Sequence, residues 1–208
     1  MQSQTKDHYN FREYFTFSRW VSFYEQISVI LNCSPINILE IGLGSRLIYA
    51  YLKELGFKVT GFDIDKSLNP DVVGDVRKLS GSFSDDQFDL VCCFQVLEHL
   101  PFEEFENSVR NIARVTSRHV AISLPFAGYS ISFALRISKV GEIKAGFAWK
   151  IPRFWEKHKY DGIHYWEIGK RGYSLKKVVS ILSSYFEIKE IRFVEPNKGI
   201  VIFVLKKK

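Results

Sequence analysis

The chain holds 208 residues, 46% of them hydrophobic, with 29 lysines and arginines against 23 aspartates and glutamates and a formal charge of +6. That length suits one substantial core and leaves little room for a second, so a single domain over residues 1–208 is expected. No uninterrupted apolar run of membrane-spanning length occurs and the first ten residues are polar, which argues against a transmembrane segment and for a cytoplasmic protein.

Trp20, Val21, Tyr24, Ile27, Ile30 and Leu31 fall at helical spacing before Pro35, predicting a helical extension over 1–36 that covers one edge of a cleft. A strand follows over Asn37–Ile41. Ser45 is then expected to cap a helix whose apolar stripe is Leu47, Ile48, Tyr51, Leu52 and Leu55, closed by Gly56. After a strand at Lys58–Asp63, Asn69-Pro70 marks a turn too short to hold a crossover helix before the next strand at 71–75. A strand at Phe88–Phe94 leads into a helix with Pro101 at its start and Phe102, Phe105, Val109, Ile112 and Val115 on one face. A strand at 119–124, a helix marked by Leu175, Val178, Val179 and Leu182, and a hairpin of strands at 187–194 and 199–205 complete the order. Cys92 and Cys93 adjoin in an apolar strand and Cys33 stands alone, which reads as buried free thiols, with no disulfide framework and no metal expected.

The informative stretch is Ile38-Leu39-Glu40-Ile41-Gly42-Leu43-Gly44-Ser45, an apolar strand that breaks into glycines at a helix start, with Asp63 closing the next strand about 20 positions later. Glycine permits a sharp turn and close approach of a ligand, helix-start N–H groups favour an anion, and Asp63 can accept from ribose hydroxyls. The dinucleotide pattern would place a third glycine at position 47, which is Leu47, so a nicotinamide enzyme is disfavoured. The stretch resembles instead motif I of the class I S-adenosylmethionine-dependent methyltransferases, opened by Glu40, with Arg46 where a third glycine is usual. Asp71-Val72-Val73-Gly74-Asp75-Val76 resembles that family's third strand. Phe94-Gln95-Val96-Leu97-Glu98-His99-Leu100-Pro101 resembles motif IV of its type 11 subgroup, from which Gln95 is a mild departure. The resemblance covers 38–125, with a weaker echo after Gly172. It implies an α/β Rossmann-like sheet of seven strands, mostly parallel with the last inserted antiparallel, and S-adenosyl-L-methionine as cofactor. It also implies cofactor contacts from Glu40, Gly42, Gly44, Asp63, Ile64, Asp75, Val76, Phe94 and Gln95.

The segment 126–173, between the fifth strand and the last helix, is too long for a plain connector and is expected to form a mobile, partly helical cap that reads the substrate. It is rich in aromatic rings, and seven basic residues face two acidic ones between positions 125 and 159. This suggests a small or medium-sized acceptor, anionic with an aromatic or apolar part, methylated on oxygen or nitrogen. His164 and His99 are candidate bases. Tyr14, Trp20, Tyr165, Trp166 and Glu167 are candidate substrate contacts. An RNA methyltransferase is the first alternative, disfavoured because the basic residues are spread along the chain and neither an [ND]-P-P-[YF] signature nor a Pro-Cys pair occurs. A non-catalytic binding module retaining the fold is the second, and the oligomeric state is left open.

Overall fold

The apolar runs of β1 (Asn37–Ile41) and β4 (Phe88–Phe94) lack polar alternation because both faces of these strands are covered. They are neighbours in a computed structural model that describes residues 9, 11–132, 148–194 and 199–208. β2 (Lys58–Asp63) and β3 (Val72–Val73) extend the sheet in parallel on one side, and β5 (Thr116–Pro125) does so on the other. β9 (Ile200–Lys207) then enters antiparallel between β5 and β8 (Phe186–Phe193), giving the order β3-β2-β1-β4-β5-β9-β8. This is the seven-stranded, mostly parallel architecture expected from the motifs.

Successive residues of β4 divide between two cores, one on each face of the sheet. Leu90 and Cys92 pack with Phe23, Val29 and Ile30 of α2 (Phe17–Asn32) and with Ile48 and Leu52 of α3 (Leu47–Glu54); α1 (Phe11–Tyr14) precedes them. Val91 and Cys93 pack with Val109 and Ile112 of α4 (Phe105–Val115) and with Val178 and Leu182 of α5 (Leu175–Tyr185). All three cysteines are buried free thiols, and burial raises the pKa of each. Between β2 and β3 there is only a helical turn at Lys66–Leu68, so the crossover helix is absent there, as the short spacing required. No helix among the described residues is long and apolar enough to cross a membrane.

Two local expectations are corrected. Residue Arg46, not Ser45, holds the cap position of α3, in a left-handed conformation (φ 63°) with no side-chain cap bond. The buried face of α2 is rotated from the apolar stripe: Trp20, Tyr24 and Leu31 are exposed, while Ser22 and Gln26 are buried. Those two polar groups tolerate burial because Gln26 Nε2 donates to Ser22 Oγ at 3.0 Å. The partly helical cap expected over 126–173 falls in part on residues 133–147, which lie outside the described residues; the described part contains no helix. It forms a two-stranded ladder of β6 (Gly128–Ser132) with β7 (Ala148–Pro152), followed by turns.

The end of that insertion is scaffold. Trp166 is fully buried, touches the rings of Phe102, Phe105 and Tyr173, and donates its indole N–H to Leu100 O at 3.1 Å. It is therefore a core residue and not a substrate contact. Ile168 N donates to Pro125 O and Ala127 N to Ile168 O, which seals the strap against the end of β5. Trp166→Ala is expected to cost about 3–5 kcal/mol in denaturant unfolding, whereas Tyr165→Ala, at a more exposed position, should cost about 1 kcal/mol or less.

Candidate functional site

Parallel strands leave a crevice beyond their C-terminal ends, and here it is a cavity of about 330 Å³ at the ends of β1, β2 and β4. Its floor is the glycine turn. Gly42 has φ 82°, and a Cβ there would stand 2.3 Å from Val96 Cγ2, so no other residue fits without displacing the segment after β4. Gly42 N donates to Phe62 O at 2.9 Å. The buried Asp63 carboxylate accepts from Leu43 N at 2.7 Å through one oxygen and from Asp65 N at 2.9 Å through the other. Burial raises its pKa, and the backbone donors partly offset that rise. Asp63 thus ties the glycine turn to the end of β2 while remaining on the cavity wall.

Arg46 takes up the backbone shape that a third glycine would adopt easily, and its guanidinium lies 5.0 Å from the centroid of the Tyr49 ring. Asp75 accepts from Arg77 N and is paired with the Arg77 guanidinium, which lowers its pKa. It caps the turn at Val76–Gly81 and also lines the cavity. Glu40 lies in an adjoining recess with Gly42, Gly44, Phe94 and Gln95. Burial, reinforced by the Asp63 charge and opposed by Arg46, pushes the Glu40 carboxyl up to about 8. Its Oε2 is buried without a hydrogen-bond partner, an orphan that a cationic or hydrogen-bonding ligand group would satisfy.

Tyr9, Tyr14 and Arg19 form one side wall. The two tyrosine rings meet edge to face at 4.9 Å, and the Arg19 guanidinium lies 4.5 Å from the Tyr14 centroid. His99, Ile163 and His164 also line the cavity. His99 Nδ1 lies 3.0 Å from Ile163 O, and His164 Nδ1 lies 3.3 Å from Glu167 Oε1, which puts the imidazole centroids 5.3 Å apart. Burial lowers the His99 pKa. Burial also acts to lower that of His164 but is outweighed by Glu167, Glu98 and Asp161, so it is raised. Glu167, bonded to His164 and paired with Lys170 at 2.9 Å, is held down to about 2.

The cavity therefore collects Tyr14, Gly42, Gly44, Asp63, Ile64, Asp75, Val76, Phe94, Gln95, His99 and His164 from separate stretches of chain. Trp20 packs outside it on Phe15 and Phe23, Tyr165 packs at a tilt against Tyr160, and Glu167 stands behind His164. Tyr9, Asp65, Leu68 and Ile163 also line the cavity, yet the sequence carries no spacing that singles them out. Of the basic residues of the insertion, 136, 139 and 144 lie outside the described residues. Among the described residues the basic group on the cavity wall is Arg19.

Residues 39–123 match the family model described as a methyltransferase domain. That match, together with the seven-stranded fold, supports a class I, type 11-like methyltransferase over this stretch of the chain. The cofactor this implies is S-adenosylmethionine. No curated protein matches the chain by sequence. Among solved structures it is similar to the N-methyltransferase NodS from Bradyrhizobium japonicum WM9, in complex with S-adenosylhomocysteine, at TM-score 0.62 and 13% identity, over 98% of this chain and 93% of that one. It is also similar to the 1,6-didemethyltoxoflavin-N1-methyltransferase of Burkholderia thailandensis, at TM-score 0.56 and 13% identity, over 100% and 92% of the chains. The [4+2]-cyclase SpnF is a third match, at TM-score 0.57 and 13% identity, over 89% and 80%. At such identities the likeness is one of fold, and a cyclase among them shows that the sheet alone does not select a reaction.

The Glu40 carboxyl supplies a pH test. A carboxyl whose pKa is higher in the folded than in the unfolded state adds no penalty below about 4.5 and destabilises the fold progressively as pH rises toward about 8. In the ligand-free protein, Glu40→Gln should therefore gain stability over wild type between pH 5 and pH 8.5, with little difference at the acid end. Parallel stability curves over that range would contradict the burial argument.

Proposed function

We propose that the methyl acceptor is a small or medium-sized molecule, methylated on oxygen or nitrogen, that enters the His99–His164 end while the cofactor occupies the glycine-turn end. The observation that carries this reading is the continuity of the two ends in one cavity. The Burkholderia thailandensis protein, whose structure holds 1,6-didemethyltoxoflavin beside S-adenosylhomocysteine, supports a small-molecule acceptor.

The residues present suit the cofactor. Asp63 would accept from ribose hydroxyls, Asp75, Val76 and Ile64 would hold the base, and Glu40, Gly42, Gly44, Phe94 and Gln95 would hold the amino-acid end. S-adenosylmethionine, when bound, supplies an electrophilic methyl group on a cationic sulfur. The work left to the chain is to orient two reactants, exclude water and manage one proton. Tyr9 and Tyr14, whose phenols are held neutral by burial, offer aromatic surface suited to a cationic neighbour. His164, backed by Glu167 and Lys170, is placed to accept a proton from the acceptor, and His99 orients the group that carries it.

Calorimetry should show stoichiometric binding of S-adenosylhomocysteine, weakened by about 1.5–3 kcal/mol in Asp63→Ala. Because Asp63 also secures the glycine turn, the variant's melting curve is needed beside its affinity. Equal affinity in a folded variant would remove Asp63 from the cofactor site. A salt series on acceptor binding separates substrate classes, since one or two ionic contacts give a shallow dependence and an RNA strand a steep one. Steep dependence together with RNA methylation would replace the small-molecule reading.

A further inference from the structure

We propose that Glu98, His99 and His164 form a binding site for one borderline divalent cation, of the Zn²⁺ or Co²⁺ class, at the acceptor end of the cavity. One donor atom from each of the three lies within 4.8 Å of those of the other two. They come from two distant stretches of chain that are fastened together at this point. Tyr165 N donates to Glu98 O at 2.9 Å, and His99 Nδ1 meets Ile163 O at 3.0 Å. The cluster is thus held by backbone contacts as well as by the side chains themselves.

The independent pointer to a ligand is Glu98. It is fully buried, and neither of its carboxylate oxygens has a hydrogen-bond partner. A buried polar group without a partner is costly, and a carboxylate more so, unless a cation or donor resolves it. The two histidines provide the complementary feature. His164 Nδ1 is backed by the Glu167 carboxylate and His99 Nδ1 by a backbone carbonyl, the support that orients metal-bound imidazoles and leaves Nε2 to act as ligand. Two imidazoles and one carboxylate suit Zn²⁺ or Co²⁺ better than Mg²⁺ or Ca²⁺, which prefer sites built of oxygen. His99 and His164 line the cavity, so the remaining coordination position faces the acceptor. An overlapping trio of Asp161, His164 and Glu167 is the weaker site. There the Asp161 carboxylate already accepts from Ile163 N and His164 N, and Glu167 is paired with Lys170.

Cation binding stands on this geometry alone, while its use in the reaction rests on the acceptor-end reading above. With the cation bound, His164 is a ligand and not a proton acceptor, and the open position favours an acceptor that presents an oxygen or nitrogen donor. The test is titration of chelator-treated, full-length protein with ZnCl₂ by calorimetry, and with CoCl₂ by visible absorption. One equivalent should bind, with affinity reduced at least about tenfold in Glu98→Gln and in His164→Asn, and unchanged in His119→Ala, a histidine on β5 outside the cavity. Glu98→Gln preserves shape and His164→Asn lies nearer the surface, so a folding failure in one leaves the other to decide, with melting curves as the check. No stoichiometric binding by wild type, or equal binding by folded Glu98→Gln and His164→Asn, would overturn the site. Titration of the same samples with S-adenosylhomocysteine keeps the outcomes separate, because loss of cofactor binding bears on the proposed function and not on the cation.

Discussion

A single carboxylate holds the working end of the sheet together. Asp63 accepts backbone N–H groups from Leu43 on one side and Asp65 on the other, and so fixes the glycine turn after β1 against the turn after β2. Two parallel strands can form their ladder without this tie, but their outgoing loops would then be free to splay. With it, the helix start of α3, the crowded approach of Gly42 to Val96 and the wall contributed by Asp75 share one frame. Partial desolvation of the carboxylate is the cost, offset by charge-assisted bonds to the backbone.

The second constraint is the strap that begins at Ile163. It is anchored by the indole of Trp166, buried among Phe102, Phe105 and Tyr173, and by backbone bonds to Glu98 and Pro125. Anchoring of this kind lets the strap present His164 from a rigid base, even though the residue sits in a long connection. The polar end of the cavity is therefore assembled by packing some distance away from it.

How much of this was readable from the chain depends on the range of the interaction. Strands β1, β2 and β4 were legible because parallel strands covered on both faces read as mainly apolar runs, with few polar interruptions such as Glu40, Thr60 and Asp89. The glycine turn and Asp63 were legible because the turn's steric demand leaves few residue types possible. The buried face of α2 was misread because Ser22 and Gln26 satisfy each other, which hides a buried position behind polar letters. Trp166 was misread for the opposite reason: an aromatic residue in a long connection looks the same whether it lines a lid or fills a core. The role of Ser45 was misjudged because a left-handed Arg46 resets where α3 begins. The meeting of Glu98 and His99 with His164 had no local signal, since it depends on how a distant strap docks. Tyr9 likewise reaches the cavity only through the tertiary placement of the segment before α2.

The placement of β9 has a kinetic consequence. It is the last strand in sequence, yet it lies inside the sheet, bonded to β5 on one edge and to β8 on the other. Until residues 200–207 arrive, β5 offers an open, apolar edge that other chains could pair with, and β8 has no place to dock. Closing the sheet joins segments more than 70 residues apart, such as Ala121 with Val204, and contacts of high sequence separation slow folding. The half of the sheet from β1 to β5 can be ordered while this edge waits. The window between those two events is where the protein is most exposed to aggregation.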